Sequence, residues 1–135
     1  MFVSNGKLYD GNGVEFRIRG VNRCHWDSGA GPGIVKSGAN AQRWGIDFTQ
    51  PVSKNINLIQ TQSIANKQIP IVGNWNGTCS SDPSVLSSIV QTWVSQASSW
   101  TTLNKYLIVN IANEWGPANS TVWRDSYIRD RKSVV

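Results

Sequence analysis

The chain opens on two short alternating runs, Phe2-Val3-Ser4 and Lys7-Leu8-Tyr9, on either side of Asn5-Gly6. An Asn-Gly pair in that setting predicts a β-hairpin, because both residues accept the positive φ of a tight type I′ turn. Gly11-Asn12-Gly13 marks a second turn. Phe16 to Asn22 then reads as the first strand of a larger sheet, ending in the polar and aromatic run Arg23 to Asp27. Pro32 between two glycines opens a short helix through Lys36, and Gly38 closes it as a C-terminal cap. Ala39 to Ile46 is a second strand with Arg43 near its end. A polar helix follows from Gln50 or Pro51 to about Lys67, with Ile56, Ile59 and Ile64 as a weak apolar stripe. Ile69 to Trp75 is a third strand, apolar enough to be covered on both faces.

Asp82-Pro83 is a clean helix start: the Asp side chain caps free N–H groups, and Pro at the first helical position loses no hydrogen bond. Leu86, Val90, Trp93, Val94, Ala97 and Trp100 recur at helical spacing, which predicts that Trp93 and Trp100 are buried against a sheet. The fourth strand, Tyr106 to Ala112, delivers Asn113, Glu114 and Trp115. Strands alternating with helices imply βαβ units and a parallel sheet in an α/β fold, here with four βα units after an N-terminal hairpin.

Composition changes this picture only in part. The net charge is +5, but Arg124, Arg129, Arg131 and Lys132 crowd the end of the chain and leave the remainder only mildly basic. The other basic residues, Arg23 and Arg43 among them, are scattered and read as solvated surface charge, so no nucleic-acid surface is expected. Seven Trp with abundant Asn, Ser, Thr and Gly suit a secreted carbohydrate-active protein, although Trp residues are as readily core. The two cysteines, Cys24 and Cys79, are a candidate disulfide in an extracellular setting and have no metal-ligand spacing. No apolar run is long enough to span a membrane. Met1-Phe2-Val3-Ser4 lacks the features of a signal peptide, so either the mature segment alone is represented or the product stays inside; the composition favours secretion.

In parallel α/β folds the chemistry lies at the carboxyl ends of the strands. The candidates there are Asn22, His25, Trp26 and Asp27; Arg43 and Asp47; Asn74, Trp75 and Asn76; and Asn113, Glu114 and Trp115. Glu15 and Glu114 are the only glutamates, and only Glu114 is presented at that end. A partly apolar approach to it is expected, the setting in which a carboxyl acts as a proton donor near neutrality. The alternative is a structural role, in which Glu114 caps the next element or pairs with Arg124.

The phrases Ile18-Arg19-Gly20-Val21-Asn22, Ser37-Gly38-Ala39-Asn40-Ala41-Gln42-Arg43 and Val109-Asn110-Ile111-Ala112-Asn113-Glu114-Trp115 resemble, in order, the first, second and fourth strand motifs of clan A glycoside hydrolases. The resemblance is closest to family five, the cellulases and β-mannanases, and runs from about Phe2 to Ile128. It implies a (β/α)8 TIM barrel represented by its N-terminal half, residues 1–128, with 129–135 a tail of no family character that reads as truncation, frameshift or vector sequence. It implies Glu114 as general acid/base, Asn113 as donor to the sugar 2-hydroxyl, and Arg43 as the arginine that keeps a nucleophilic carboxylate ionised. His25, Trp26, Trp75 and Trp115 are the expected sugar-binding residues. One departure is that the family commonly carries a His near the third strand's end, where Asn74-Trp75-Asn76 stands here.

A complete barrel takes about 250 residues, so the family's nucleophilic Glu lies outside this sequence. The expected function is retaining endo-β-1,4-glycanase action on cellulose-like glucan, or a remnant of it, with β-mannan as the alternative substrate. A catalytically silent sugar-binding or structural half barrel is the alternative class. Cofactors and metals are not called for. The expected partners are a polysaccharide or oligosaccharide and a second copy, since a half barrel leaves sheet edges and an inner face that a homo-oligomer would cover.

Overall fold

The computed structural model describes residues 1–24, 31–116, 121 and 125. His25, Trp26, Asp27, Arg124 and the tail 129–135 lie outside the described residues. The hairpin forms as its sequence predicts: β1 (Phe2–Ser4) pairs antiparallel with β2 (Lys7–Tyr9) around Asn5 at φ 49° and Gly6 at φ 73°. Phe2 stacks on Tyr9 at 5.3 Å, and Lys7 pairs with Glu15 at 2.8 Å. That ion pair holds the Glu15 carboxyl below its ordinary pKa, first by the Lys7 hydrogen bond and then by its charge.

A four-stranded parallel sheet follows, in the order β3 (Gly20–Cys24), β4 (Ala41–Ile46), β5 (Ile69–Asn74), β6 (Ile108–Asn110). The first of these begins later than the alternation of Phe16 to Asn22 suggested. Phe16 N–H donates to the Leu8 carbonyl at 2.7 Å, while the Asn40 side chain binds the Arg17 carbonyl at 2.9 Å and the Arg19 N–H at 2.7 Å. Residues 16–19 are thereby held to the hairpin and to the turn before β4, and pairing starts at Gly20. The last strand is shorter than Tyr106 to Ala112. Tyr106 and Leu107 N–H groups turn back to the Leu103 carbonyl at 2.9 and 3.1 Å, and pairing with β5 begins at Ile108.

Helices cover one face of this sheet. α1 (Gly31–Lys36) ends at Gly38, whose φ is 73°. α2 (Val52–Gln62) is shorter than the expected helix to Lys67, giving way to a 3-10 turn at Ile64–Asn66 and a left-handed Lys67 at φ 57°. α3 (Pro83–Ser95) starts where Asp82 Oδ1 accepts the Ser84 N–H at 2.8 Å. The helix expected to continue to Trp100 breaks at Gln96, and α4 (Ala97–Trp100) is a separate short turn.

The core lies between this helical layer and the sheet. Trp44, Ile46 and Val72 from the strands meet Ile59, Leu86, Ile89, Val90, Trp93 and Trp100 from the helices. Burial of residues such as Ile59 and Leu86, both fully inaccessible, stabilises by about 1.5–3 kcal/mol each. Trp93 lies edge-on to Phe48 at 4.8 Å, and its indole N–H donates to the Ile111 carbonyl at 2.8 Å. Trp93 and Trp100 are therefore core, as the helical spacing indicated, whereas Val94 on the same stripe is exposed.

One scattered charge is not solvated. Arg23 is 2 % exposed, stacks over the Trp44 ring at 4.5 Å, and donates to the Gln42 and Gln62 side-chain oxygens. Gln42 in turn donates to the Gln62 carbonyl at 2.8 Å and to Gln68. A buried guanidinium is tolerated when its N–H groups and its flat face are both matched, and this network does so between β3, β4 and α2. No described helix is long and apolar enough to cross a membrane.

Candidate active site

The parallel register places residues of the uncovered sheet face in layers. Asn22, Arg43 and Ile71 share one level, with Ile108 opposite Ile71 on β6; Gly45, Gly73 and Asn110 share the next level toward the carboxyl ends. Period-two alternation assigns this face, since the intervening Trp44 and Val72 are buried in the helix-side core.

The two glycines form a floor for an aromatic side chain. A methyl carbon at Gly45 would stand 2.9 Å from Trp75 Cδ2 and Cε2, and one at Gly73 3.4 Å from Trp75 Nε1. Trp75, just past β5, thus folds its indole back over both positions, with the Arg43 guanidinium 5.7 Å from its ring centroid. Its Nε1 is buried and has no hydrogen-bond partner among the described residues.

Arg43 reaches from β4 to the segment after β6. Its Nη2 donates to Asn113 Oδ1 at 2.5 Å; with the Asn110 side-chain amide turned so that both its ends are satisfied, Nη2 also donates to Asn110 Oδ1 at 2.7 Å and Asn110 Nδ2 donates to the Ala112 carbonyl at 3.0 Å. The bonds from the guanidinium are charge-assisted, so they are stronger than neutral ones. Asn113 is 5 % exposed; its N–H donates to the Asn74 carbonyl at 2.8 Å and its Nδ2 to Thr78 Oγ1 at 2.9 Å.

Glu114 follows in a left-handed backbone, φ 46°, with its side chain exposed. Left-handed geometry costs a non-glycine residue about 1 kcal/mol or more and persists where neighbours enforce it. Here the loops after β5 and β6 are stitched together by Cys79 N–H to the Glu114 carbonyl at 3.1 Å and Gly116 N–H to the Ser80 carbonyl at 2.8 Å. Cys79 is itself left-handed at φ 64°.

The other expected residues divide. Trp115 is 6 % exposed within the core, and its indole N–H donates to the Asp82 carbonyl at 3.3 Å. Asp47 holds its own turn, accepting from Thr49 N–H at 2.9 Å and Oγ1 at 2.6 Å. Asn74 is buried and accepts from Asn76 N–H at 2.9 Å. Cys79 carries a free, exposed thiol.

Two residues of the cluster escaped the sequence reading, Asn110 and Thr78. A polar residue on the inward parity of β6 is the signal for Asn110. Thr78 lies in a loop and carries no signal in sequence.

No family model matches the chain. It is 31 % identical to a mannan endo-1,4-beta-mannosidase of Salipaludibacillus agaradhaerens, over 94 % of this chain and 44 % of that protein. It is also 31 % identical to a mannan endo-1,4-beta-mannosidase of Streptomyces lividans, over 92 % of this chain and 36 % of that one. The chain spans less than half the length of both curated relatives. Among solved structures, the beta-mannanase from Streptomyces thermolilacinus with mannohexaose superposes with a TM-score of 0.82 at 26 % identity, over 98 % of this chain and 48 % of that one. The mannohexaose complex of the Thermomonospora fusca beta-mannanase gives 0.78 at 26 % identity, over 98 % and 51 %. The fold is therefore a four-stranded parallel sheet with helices between its strands and the hairpin at its start, the arrangement of part of a (β/α)8 barrel.

Proposed function

We propose that this chain carries the N-terminal half of a family five retaining endo-β-1,4-mannanase site, with Glu114 as general acid/base, Asn113 as donor to the sugar 2-hydroxyl, and Arg43 as the cation that orients Asn113 and faces the nucleophile. The observation that carries this reading is the Arg43–Asn113 hydrogen bond of 2.5 Å, which ties β4 to the segment after β6 immediately beside an exposed, left-handed Glu114. Mannan replaces cellulose-like glucan as the leading substrate, on the support of both curated relatives. Trp75 serves as an apolar floor near Arg43, and His25 and Trp26 complete the sugar contacts. Secretion belongs to the same reading.

Retaining hydrolysis needs two carboxylates about 5–5.5 Å apart. Glu15, the only other glutamate, is on the hairpin paired with Lys7 at 2.8 Å, so the nucleophile comes from outside this sequence. That placement favours a second reading, in which this chain alone binds mannan without turning it over. A second copy, covering Ile71 and Ile108 on the inner face and the edges β3 and β6, is the expected partner; a monomeric mass by light scattering at micromolar concentration would remove it. The deciding assay is release of reducing ends from β-mannan and from carboxymethylcellulose by the wild-type chain and Glu114→Gln. Any turnover of mannan should disappear in Glu114→Gln, and turnover that persists there overturns the assignment of Glu114. Mannohexaose binding without turnover selects the second reading, and neither binding nor turnover overturns both.

A further inference from the structure

The Asn113 amide is held from two sides, and only one of them is the arginine. Thr78 Oγ1 donates its single proton to the Trp75 carbonyl at 2.9 Å. Toward Asn113 the same oxygen can therefore only accept, and it takes a proton from Nδ2 at 2.9 Å. Thr78 thus requires Asn113 to present nitrogen to it, while Arg43 requires the amide oxygen on its own side at 2.5 Å. Both constraints select the same amide orientation. An amide nitrogen has two protons, so one is left over after Thr78 is served.

We infer that Thr78 is a positioning residue: by accepting from Asn113 it sets which amide proton remains for a sugar hydroxyl. Thr78 touches Asn113 rather than substrate, and it acts through that amide. Its backbone is fixed for the task, because Thr78 N–H also donates to the Trp75 carbonyl at 3.1 Å and the next residue, Cys79, donates to the Glu114 carbonyl at 3.1 Å. The loop after β5 therefore aligns Asn113 by a side chain and holds Glu114 by a backbone bond. The sugar part of this inference rests on the function proposed above; the orientation of the amide does not.

The test compares Thr78→Val, which keeps the shape and loses the acceptor, with Thr78→Ser, which keeps the acceptor. Thr78 is exposed, so the isosteric change leaves the core untouched. In the ¹⁵N-labelled chain, the side-chain amide of Asn113 is identified by its loss in Asn113→Ala. Thr78→Val should shift both amide protons and speed their exchange with solvent about tenfold, as expected for loss of one hydrogen bond, while Thr78→Ser stays close to wild type. Unchanged exchange in Thr78→Val, or equal acceleration in both variants, overturns the inference. Mannohexaose affinity measured in parallel should fall about tenfold in Thr78→Val and recover in Thr78→Ser. A wild-type chain that shows the protected amide but no affinity for mannohexaose refutes the functional reading and leaves the positioning of Asn113 standing.

Discussion

Replacing Gly45 by alanine tests the floor on which Trp75 rests. The added methyl carbon would lie 2.9 Å from both Trp75 Cδ2 and Cε2 and 3.1 Å from Cε3. Carbon atoms pack best at about 3.5–4.0 Å, so the ring must lift by roughly 0.6 Å or the strand must yield. The strand is poorly placed to yield, since Gly45 is paired with β3 on one side and β5 on the other. Lifting the ring separates it from Gly73 and disturbs the Arg43 contact at 5.7 Å. Overpacking of this kind costs about 1–3 kcal/mol. In a domain of this size about 2 kcal/mol lowers Tm by roughly 6–12 °C. Seven tryptophans make bulk emission a poor reporter, so the assay is thermal melting by circular dichroism, run as a double-mutant cycle with Trp75→Ala. On the Trp75→Ala background the obstructing ring is gone, and Gly45→Ala should cost under about 0.5 kcal/mol. Equal losses on both backgrounds would refute the reasoning and place the strain in the backbone at Gly45 instead of the indole.

Gly77→Ala is expected to cost less than Gly45→Ala, about 1 kcal/mol by chemical denaturation, because its methyl would meet Ile89 Cδ1 at 2.6 Å, the movable end of a side chain. Asn40→Ala removes both side-chain bonds to Arg17 and Arg19 while keeping the Asn40 N–H bond to the Arg19 carbonyl, and should lower stability by about 1–2 kcal/mol with faster hydrogen exchange at the Arg19 amide. Asp82 has its pKa lowered by the hydrogen bonds from Ser84, so its cap stabilises the folded state fully above the ordinary Asp value of about 3.9 and loses that contribution as pH falls through the lowered folded value. Asp82→Asn keeps a capping oxygen at every pH. The difference in Tm between wild type and Asp82→Asn should therefore be flat above about pH 5 and move against the wild type only in the acid range below about pH 4.

The elements that were legible in the sequence are those whose causes are local. Asn5-Gly6 dictates its turn by the φ values both residues accept, and Asp82-Pro83 starts α3 with a cap two residues from its donor. The spacing of Leu86, Val90 and Trp93 required only that a sheet lie alongside. Strand limits behaved differently. Phe16 to Arg19 alternate as a strand should, yet their hydrogen bonds go to Leu8 and to Asn40, the latter more than twenty residues away. Arg23 shows the same limit for charge: an isolated basic residue reads as solvated until the fold places Trp44, Gln42 and Gln62 around it.

The candidate site was legible where a motif stood for geometry and failed where geometry alone decides. Asn113, Glu114 and Trp115 form one run of candidates in the sequence, but the left-handed backbone at Glu114 gives the three side chains different fates. Asn113 is buried against Arg43 and Thr78, Glu114 is exposed, and Trp115 enters the core beneath Asp82. The peptide of Glu114 can hold that conformation because Cys79, also left-handed, donates to it across the loops. Asn110 joins the cluster only through the β5–β6 register, which sets it opposite Gly73 and within reach of Arg43. Arg43 therefore binds two amides whose positions depend on different constraints, one on strand pairing and one on Thr78. Loss of either constraint should loosen the arginine before it unfolds the sheet, because the core that stabilises β4 and β5 lies on the opposite face.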